Sequence, residues 1–136
     1  MDKTCTSIEQ SQKLIELGID VNSADMHYVR QKTDFMGKPV DSKWSEPKYG
    51  NTNSKHANYV VQNFSSYETL PAWSLSALLA LTPAVLDIDG EPVFFWLTTG
   101  LETWYAEYVN VAMFDASNPI DAVYEMVCWL KENKKI

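Results

Sequence analysis

Residues 84–98 read AVLDIDGEPVFFWLT, two β-prone runs on either side of Asp89-Gly90. An Asp-Gly pair supplies the positive φ angles of a two-residue hairpin turn, so the pattern predicts two antiparallel strands joined at this dipeptide. Pro92 has no N–H to donate and belongs at the start of its strand or on a sheet edge. Residues 102–109 are also aromatic and β-prone, and they add a third strand. Together these segments predict an antiparallel meander.

Helix signals lie on both sides of the meander. Thr6-Ser7-Ile8-Glu9 fits a T-x-x-E capping box, and Gly18 suits the left-handed position after a helix end, so a first helix is predicted between them. Residues 70–81 are almost continuously apolar and predict a second, deeply buried helix with Pro71 in its first turn.

A third helix is predicted after Asn118-Pro119, a good N-cap followed by a proline at the first helical position. Asp121 lies in the first turn, where the helix dipole favours a negative charge. The apolar residues recur at helical spacing and predict one buried face. They are Ile120, Val123, Val127 and Leu130.

Residues 26–31 alternate as a short strand, with Met26, Tyr28 and Arg30 on one face. A polar segment at about 33–58 follows and is predicted to be a long loop, or a hairpin whose return strand is residues 59–62. The predicted fold is α+β, with three α-helices packed on an antiparallel sheet of about four or five strands in the order α-β-β-α-β-β-β-α. We expect one domain over residues 1–136.

The amino-acid composition argues against several classes of function. The 136 residues carry a formal charge of -7 and a single arginine, Arg30. A broad nucleic-acid surface is therefore not expected, whereas a basic partner is compatible with the charge. No apolar run reaches the length of a membrane span, and the polar N-terminus lacks a signal-peptide core, so a cytoplasmic protein is expected.

Residues that could carry chemistry are few. Cys5 and Cys128 have no CxxC neighbour and are expected to be reduced thiols rather than zinc ligands or a redox pair. His27 and His56 are the only imidazoles, and neither lies in a catalytic motif. The isolated glycines form no phosphate-binding loop, and no calcium-loop spacing is present. We therefore expect no catalytic residue, no metal and no cofactor.

The aromatic residues of the meander are the remaining unusual feature. Alternation places Phe94 and Trp96 on one face of a strand and Phe95 on the other. Two interpretations stay open: both faces are covered core, or one face is a contact surface. For the second, Trp96, Trp104 and Tyr108 are the predicted anchors of a protein partner.

Three segments carry a resemblance to known sequences. Residues 5–20 with Ala24-Asp25-Met26, residues 71–79, and Asp121-Ala122 followed by residues 125–130 resemble small uncharacterised proteins of gut bacteria and their phages or prophages. The resemblance implies a mobile-element context and no catalytic residue. The meander followed by a helix is also similar in element order to HicB-type antitoxins.

These observations give three hypotheses of function. The first is a non-catalytic protein that acts through protein–protein contacts as a phage or prophage accessory factor. The second is a HicB-like or nucleic-acid-mimicking regulator whose acidic residues meet a basic partner. The third is a small hydrolase that uses His27 or His56 with a nearby aspartate.

Overall fold

The computed structural model of the protein describes residues 3–54, 57 and 66–136. The fold is α+β with antiparallel sheets, as the sequence predicts. The helices in these residues are α1 (Ile8–Glu16), α2 (Leu75–Ala80) and α3 (Pro119–Glu132), and a short 3-10 helix covers Val21–Ser23. The strands are β1 (Met26–Gln31), β2 (Lys48–Tyr49), β3 (Tyr67–Ala72), β4 (Val85–Ile88), β5 (Glu91–Thr99), β6 (Trp104–Tyr108) and β7 (Ala112–Ala116).

The chain divides into two compact units, each with its own sheet. The N-terminal unit is Ser7–Ser74 and holds the sheet β2-β1-β3. The C-terminal unit is Leu75–Ile136 together with Met1–Thr6, and it holds the sheet β4-β5-β6-β7. The seven strands of the described residues thus form two separate sheets, whereas the sequence predicted one sheet. The prediction of a single domain over residues 1–136 stays a prediction.

Helix α1 begins one residue later than the sequence predicted. Ser7, not Thr6, is the N-cap: its hydroxyl accepts from the Gln10 N–H at 3.1 Å, and the Gln10 side chain accepts from the Ser7 N–H at 2.9 Å. A Ser–Gln box serves as well as the predicted Thr–Glu box, because either pair satisfies two helix-end donors. Gly18 follows the C-cap with a φ of 88°, which confirms the predicted helix end.

Strand β1 has the predicted bounds and lies at the centre of the N-terminal sheet. Its neighbour β2 and the preceding residues return along one edge of β1, with the Ser45 N–H donating to the Val29 carbonyl at 2.8 Å. The polar segment predicted as a loop at about 33–58 therefore contains a strand. The predicted return strand, residues 59–62, lies outside the described residues. Arg30 forms an ion pair with Glu68 and stacks 4.3 Å from the Trp44 ring.

The predicted helix over residues 70–81 is wrong in its first half. Leu70, Pro71 and Ala72 belong to β3, which pairs with β1 from Met26↔Ala72 to Gln31↔Tyr67. Six cross-strand pairs outweigh the local helical pattern. Pro71 is tolerated because β3 is the edge strand of this three-stranded sheet, where a missing N–H costs no ladder bond. Helix α2 starts only at Leu75.

The β4–β5 hairpin confirms the prediction from Asp89-Gly90. Both residues have positive φ angles, 54° and 86°, and the turn pairs Ile88 with Glu91. Pro92 is the second residue of β5, near the strand start as predicted. Strand β6 follows, and β7 was not predicted; Asn110, with a φ of 62°, makes the turn between them. That turn carries no glycine signal, which explains the omission.

Helix α3 confirms the predicted cap and apolar face. The Asn118 side chain accepts from the Asp121 N–H at 2.9 Å, and Pro119 is the first helical residue. The helix packs on β6 and β7 with Ile120, Val123, Val127 and Leu130 buried. Cys5 and Cys128 are both buried thiols. In the described ranges, no helix combines the length and apolar character that crossing a membrane requires.

Replacing the N-cap of α3 tests how far this helix stabilises the fold. Asn118→Ala removes the acceptor for the Asp121 N–H, and we expect a loss of about 1 kcal/mol in the free energy of unfolding. Urea unfolding followed by circular dichroism measures the change. The neighbouring exposed Ser117→Ala serves as the control and should shift the free energy by less than about 0.5 kcal/mol. Equal losses for both variants would contradict the assignment of the cap.

Candidate binding surface

The strand registers of the C-terminal sheet determine which side chains share a face. Val85 pairs with Phe94, Trp96 pairs with Glu107, and Glu107 pairs with Met113, so these residues lie on one face. We call this the outer face. Its members are Val85, Asp87, Pro92, Phe94, Trp96, Thr98, Tyr105, Glu107, Met113 and Asp115.

The outer face exposes large apolar side chains. The exposed fractions are 45% for Val85, 55% for Phe94, 55% for Trp96 and 56% for Met113. The opposite, inner face carries the buried Leu86, Ala106 and Tyr108. Since α3 packs on β6 and β7, the two faces differ in what covers them: helix on the inner side and solvent on much of the outer side.

The charges carried by the four strands of the C-terminal sheet and the turns between them are all of one sign. Residues 83–118 contain no lysine, arginine or histidine, and they contain six carboxylates. Asp87, Glu107 and Asp115 lie on the outer face itself, on three different strands. Asp87 and Asp115 are exposed, and Glu107 is half-buried. The outer face thus combines apolar side chains with carboxylates, and its own residues include no base.

The three predicted anchors do not share a surface. Trp96 lies on the outer face, whereas Trp104 and Tyr108 alternate with Glu107 and therefore lie on the inner face. Trp104 is half-buried and Tyr108 is fully buried. The Tyr108 hydroxyl donates to the Pro83 carbonyl, and its ring lies 5.4 Å from the Phe95 ring. Of the predicted set, only Trp96 remains a strongly exposed candidate.

Sequence reasoning omitted Val85, Phe94 and Met113 from the candidate set. Phe94 lies two residues before Trp96 in the same strand, and the Asp89-Gly90 turn sets the pairing of Val85 with Phe94. Alternation and turn length could therefore have found both of these residues. Met113 could not be found in this way, because it lies on the strand that was not predicted.

A groove of about 330 Å³ lies at the β6–β7 turn. Glu107 and Met113 of the outer face contribute to its lining, together with Asn110 and Val111 of the turn. Its lining combines apolar residues with the acidic residue Glu107. This volume lies at the lower end of the range of ligand pockets, which is about 300–1,000 Å³.

Of the two histidines, the structure describes His27. His27 is fully buried, with its Nδ1 placed 2.7 Å from the Gly50 carbonyl oxygen, so this nitrogen carries the proton and donates it. Asp25, the nearest acid in the sequence, binds Ser74 through both its carboxylate oxygens. His56 lies outside the described residues. Within the described ranges, no group of three His, Cys, Asp or Glu side chains could hold a metal ion.

Comparison of the chain with protein-family models, with curated proteins and with solved structures finds no match. The candidate surface therefore rests on its own geometry. The resemblance to proteins of gut bacteria and their phages stays a prediction.

The burial of Tyr108 gives a testable pH dependence. Burial raises the pKa of Tyr108 to about 12, and burial together with a hydrogen bond to Cys128 raises the pKa of Tyr124. An unfolded tyrosine loses its proton near its ordinary pKa of 10.0, before the folded Tyr108 does. The free energy of unfolding should therefore fall as pH rises from about 10 to about 12.

Urea unfolding at about pH 9 and about pH 11 measures this fall. Tyr108→Phe removes one titrating group, so the fall between the two pH values should be smaller than in the wild type. Loss of the hydrogen bond to Pro83 lowers the stability of the variant at both pH values and cancels in the difference. An equal fall in the wild type and the variant would show that Tyr108 does not keep its proton in the folded state.

Proposed function

We propose that this chain is a non-catalytic binding protein that acts through the outer face of its four-stranded sheet. The observation that carries the proposal is the joint exposure of Phe94 and Trp96 on a surface that has carboxylates and no bases. The ligand class that fits is a protein segment with apolar side chains between lysines or arginines. We further propose that the protein acts in the cytoplasm as an accessory factor of a phage or prophage.

The apolar part of the surface supports a protein ligand. Soluble proteins rarely leave several large apolar side chains adjacent and exposed, and such patches commonly mark interaction sites. Phe94 and Trp96 are neighbours on β5, and Val85 is paired with Phe94 on β4. Aromatic residues are enriched in the centres of protein interfaces and often carry most of the binding free energy. Trp96 is accordingly the expected central anchor.

The negative charge of the outer face indicates that the partner is basic. Asp87, Glu107 and Asp115 surround the apolar residues, and no base between residues 83 and 118 compensates them. A negative partner such as a nucleic acid would be repelled, whereas a basic segment would gain both steering and rim contacts. Basic charge and apolar side chains are thus both required of the ligand.

The carboxylates of the outer face also favour a second candidate, the acidic regulator that mimics a nucleic acid. Such a mimic works mainly through charge, so its binding should weaken steeply with salt and depend little on Trp96. The exposed apolar centre distinguishes the leading proposal from this one. The two make opposite predictions for a variant that loses the aromatic side chain and keeps the charge.

A designed peptide tests the proposal without knowledge of the natural partner. We expect a fluorescently labelled peptide of alternating lysine and leucine to bind the full chain, and Trp96→Ser to weaken binding about tenfold, as measured by fluorescence anisotropy. A Lys–Ser peptide lacks apolar side chains and a Glu–Leu peptide lacks positive charge, so both should bind weakly. Asp87→Asn combined with Asp115→Asn should weaken binding most at low salt.

The matched control is Leu101→Ser, which removes a fully exposed apolar side chain outside the outer face. This variant should bind the Lys–Leu peptide as the wild type does. Circular dichroism verifies that each variant is folded. Equal effects of Leu101→Ser and Trp96→Ser would refute the proposed surface, and equal binding of the Lys–Ser peptide would favour the acidic mimic.

A further inference from the structure

The charge of the outer face restricts how two copies of this chain could meet. Stacking two outer faces would bring Asp87, Glu107 and Asp115 of one copy against the same carboxylates of the other. No base in residues 83–118 would neutralise them. Like charges opposed in an interface are unfavourable, so this symmetric arrangement is disfavoured. A surface that carries basic side chains would bind the outer face of a second copy better than another outer face would.

The N-terminal unit presents such a surface at a tight turn. We call residues 32–38 the Phe35 tip. Phe35 is 95% exposed and Met36 is 71% exposed. The Asp34 carboxylate accepts from the N–H groups of Met36 at 2.8 Å and Lys38 at 3.0 Å, and the Asp34 carbonyl accepts from the Gly37 N–H at 3.0 Å. Three hydrogen bonds therefore close the turn, yet it presents two large apolar side chains to solvent.

The Phe35 tip has the charge that the outer face lacks. Lys32 and Lys38 flank the two apolar residues, and both lysines are exposed. The only acid in the tip is Asp34, and its carboxylate is engaged by backbone N–H groups within the turn. The tip is thus apolar at its centre and basic at its rim. This is the ligand chemistry that the outer face requires.

We propose that the Phe35 tip of one copy binds the outer face of a second copy. This inference rests on the proposed function and names one ligand for that surface. Phe35 and Met36 pack on Phe94 and Trp96 or enter the groove beside Met113, and Lys32 and Lys38 approach Glu107 and Asp115. The groove of about 330 Å³ is large enough to take an aromatic side chain.

The geometry of such a contact determines the form of the assembly. One copy uses its tip and the other its outer face, so each joined pair leaves one free tip and one free face. A contact of this head-to-tail kind continues into open chains or closes into a ring. The contact area is small, so the association is expected to be weak and dependent on concentration.

Complementation between two variants tests the proposal. Phe35→Ser keeps the outer face intact, and Trp96→Ser keeps the tip intact. Sedimentation equilibrium of the full-length wild type, up to about 1 mM, should show an average mass that rises beyond that of a dimer. Each variant alone should weaken association about tenfold or more. An equimolar mixture should form a dimer and nothing larger, because the remaining tip and face are both defective.

Several outcomes would overturn the inference. A wild type that stays monomeric, or a mixture of folded variants that forms no dimer, excludes the contact. Association lost in Trp96→Ser but retained in Phe35→Ser shows that the face pairs without the tip. In each case, binding of the Lys–Leu peptide to Phe35→Ser reports separately on the outer face. The proposed function can thus stand when this inference fails.

A charge exchange provides a second test that spares the apolar side chains. Lys38→Glu in the tip and Glu107→Lys on the face should each weaken association of the copies. The two variants should bind each other more tightly than either binds itself, because the exchanged charges attract again. Leu101→Ser should leave association unchanged. Absence of recovery in the mixed charge variants counts against the proposed orientation of the tip.

Discussion

The two-residue turn at Asp89-Gly90 determines which side chains of β4 and β5 lie on the inner face of the C-terminal sheet and which lie on the outer face. It pairs Ile88 with Glu91 and thereby Val85 with Phe94. Because side chains alternate with a period of two, a slip of one residue in this hairpin would exchange the faces of a whole strand. Phe94 and Trp96 would then lie on the inner face, and Phe95 on the outer face. The candidate surface exists because this register is fixed.

Local signals were sufficient for much of the fold. The Asp-Gly turn, the Asn118-Pro119 cap and the alternation of residues 26–31 each depend on neighbours in sequence, and the structure agrees with all three. The errors occur where distant segments determine the conformation. Pairing with β1 makes Leu70–Ala72 a strand despite its helical pattern, and β7 follows a turn without glycine. Patterns within a short segment do not predict such pairing, because strand formation depends on the neighbouring strands.

For the candidate site too, features set by neighbouring residues were predicted correctly, and features set by pairing between strands were not. Alternation within β5 correctly separates Phe94 and Trp96 from Phe95. The relation of Trp96 to Trp104 and Tyr108 depends on the β5–β6 register, and the irregular connection at residues 100–103 sets that register. The sequence therefore grouped three aromatic residues that the structure distributes over two faces. Tyr108 is buried because the β5–β6 register places it on the inner face, and its residue type alone does not predict this.

Strand β5 has a further consequence for the motions of the C-terminal sheet. Its first four residues, Glu91–Phe94, pair with β4, and its last five, Phe95–Thr99, pair with β6. The two neighbours thus hold different halves of one strand. Opening of the four β4 pairs leaves the β5–β6–β7 ladder and its contact with α3 in place. Amide hydrogens of β4 can exchange with solvent through this local opening, without unfolding of the helix-backed part of the sheet.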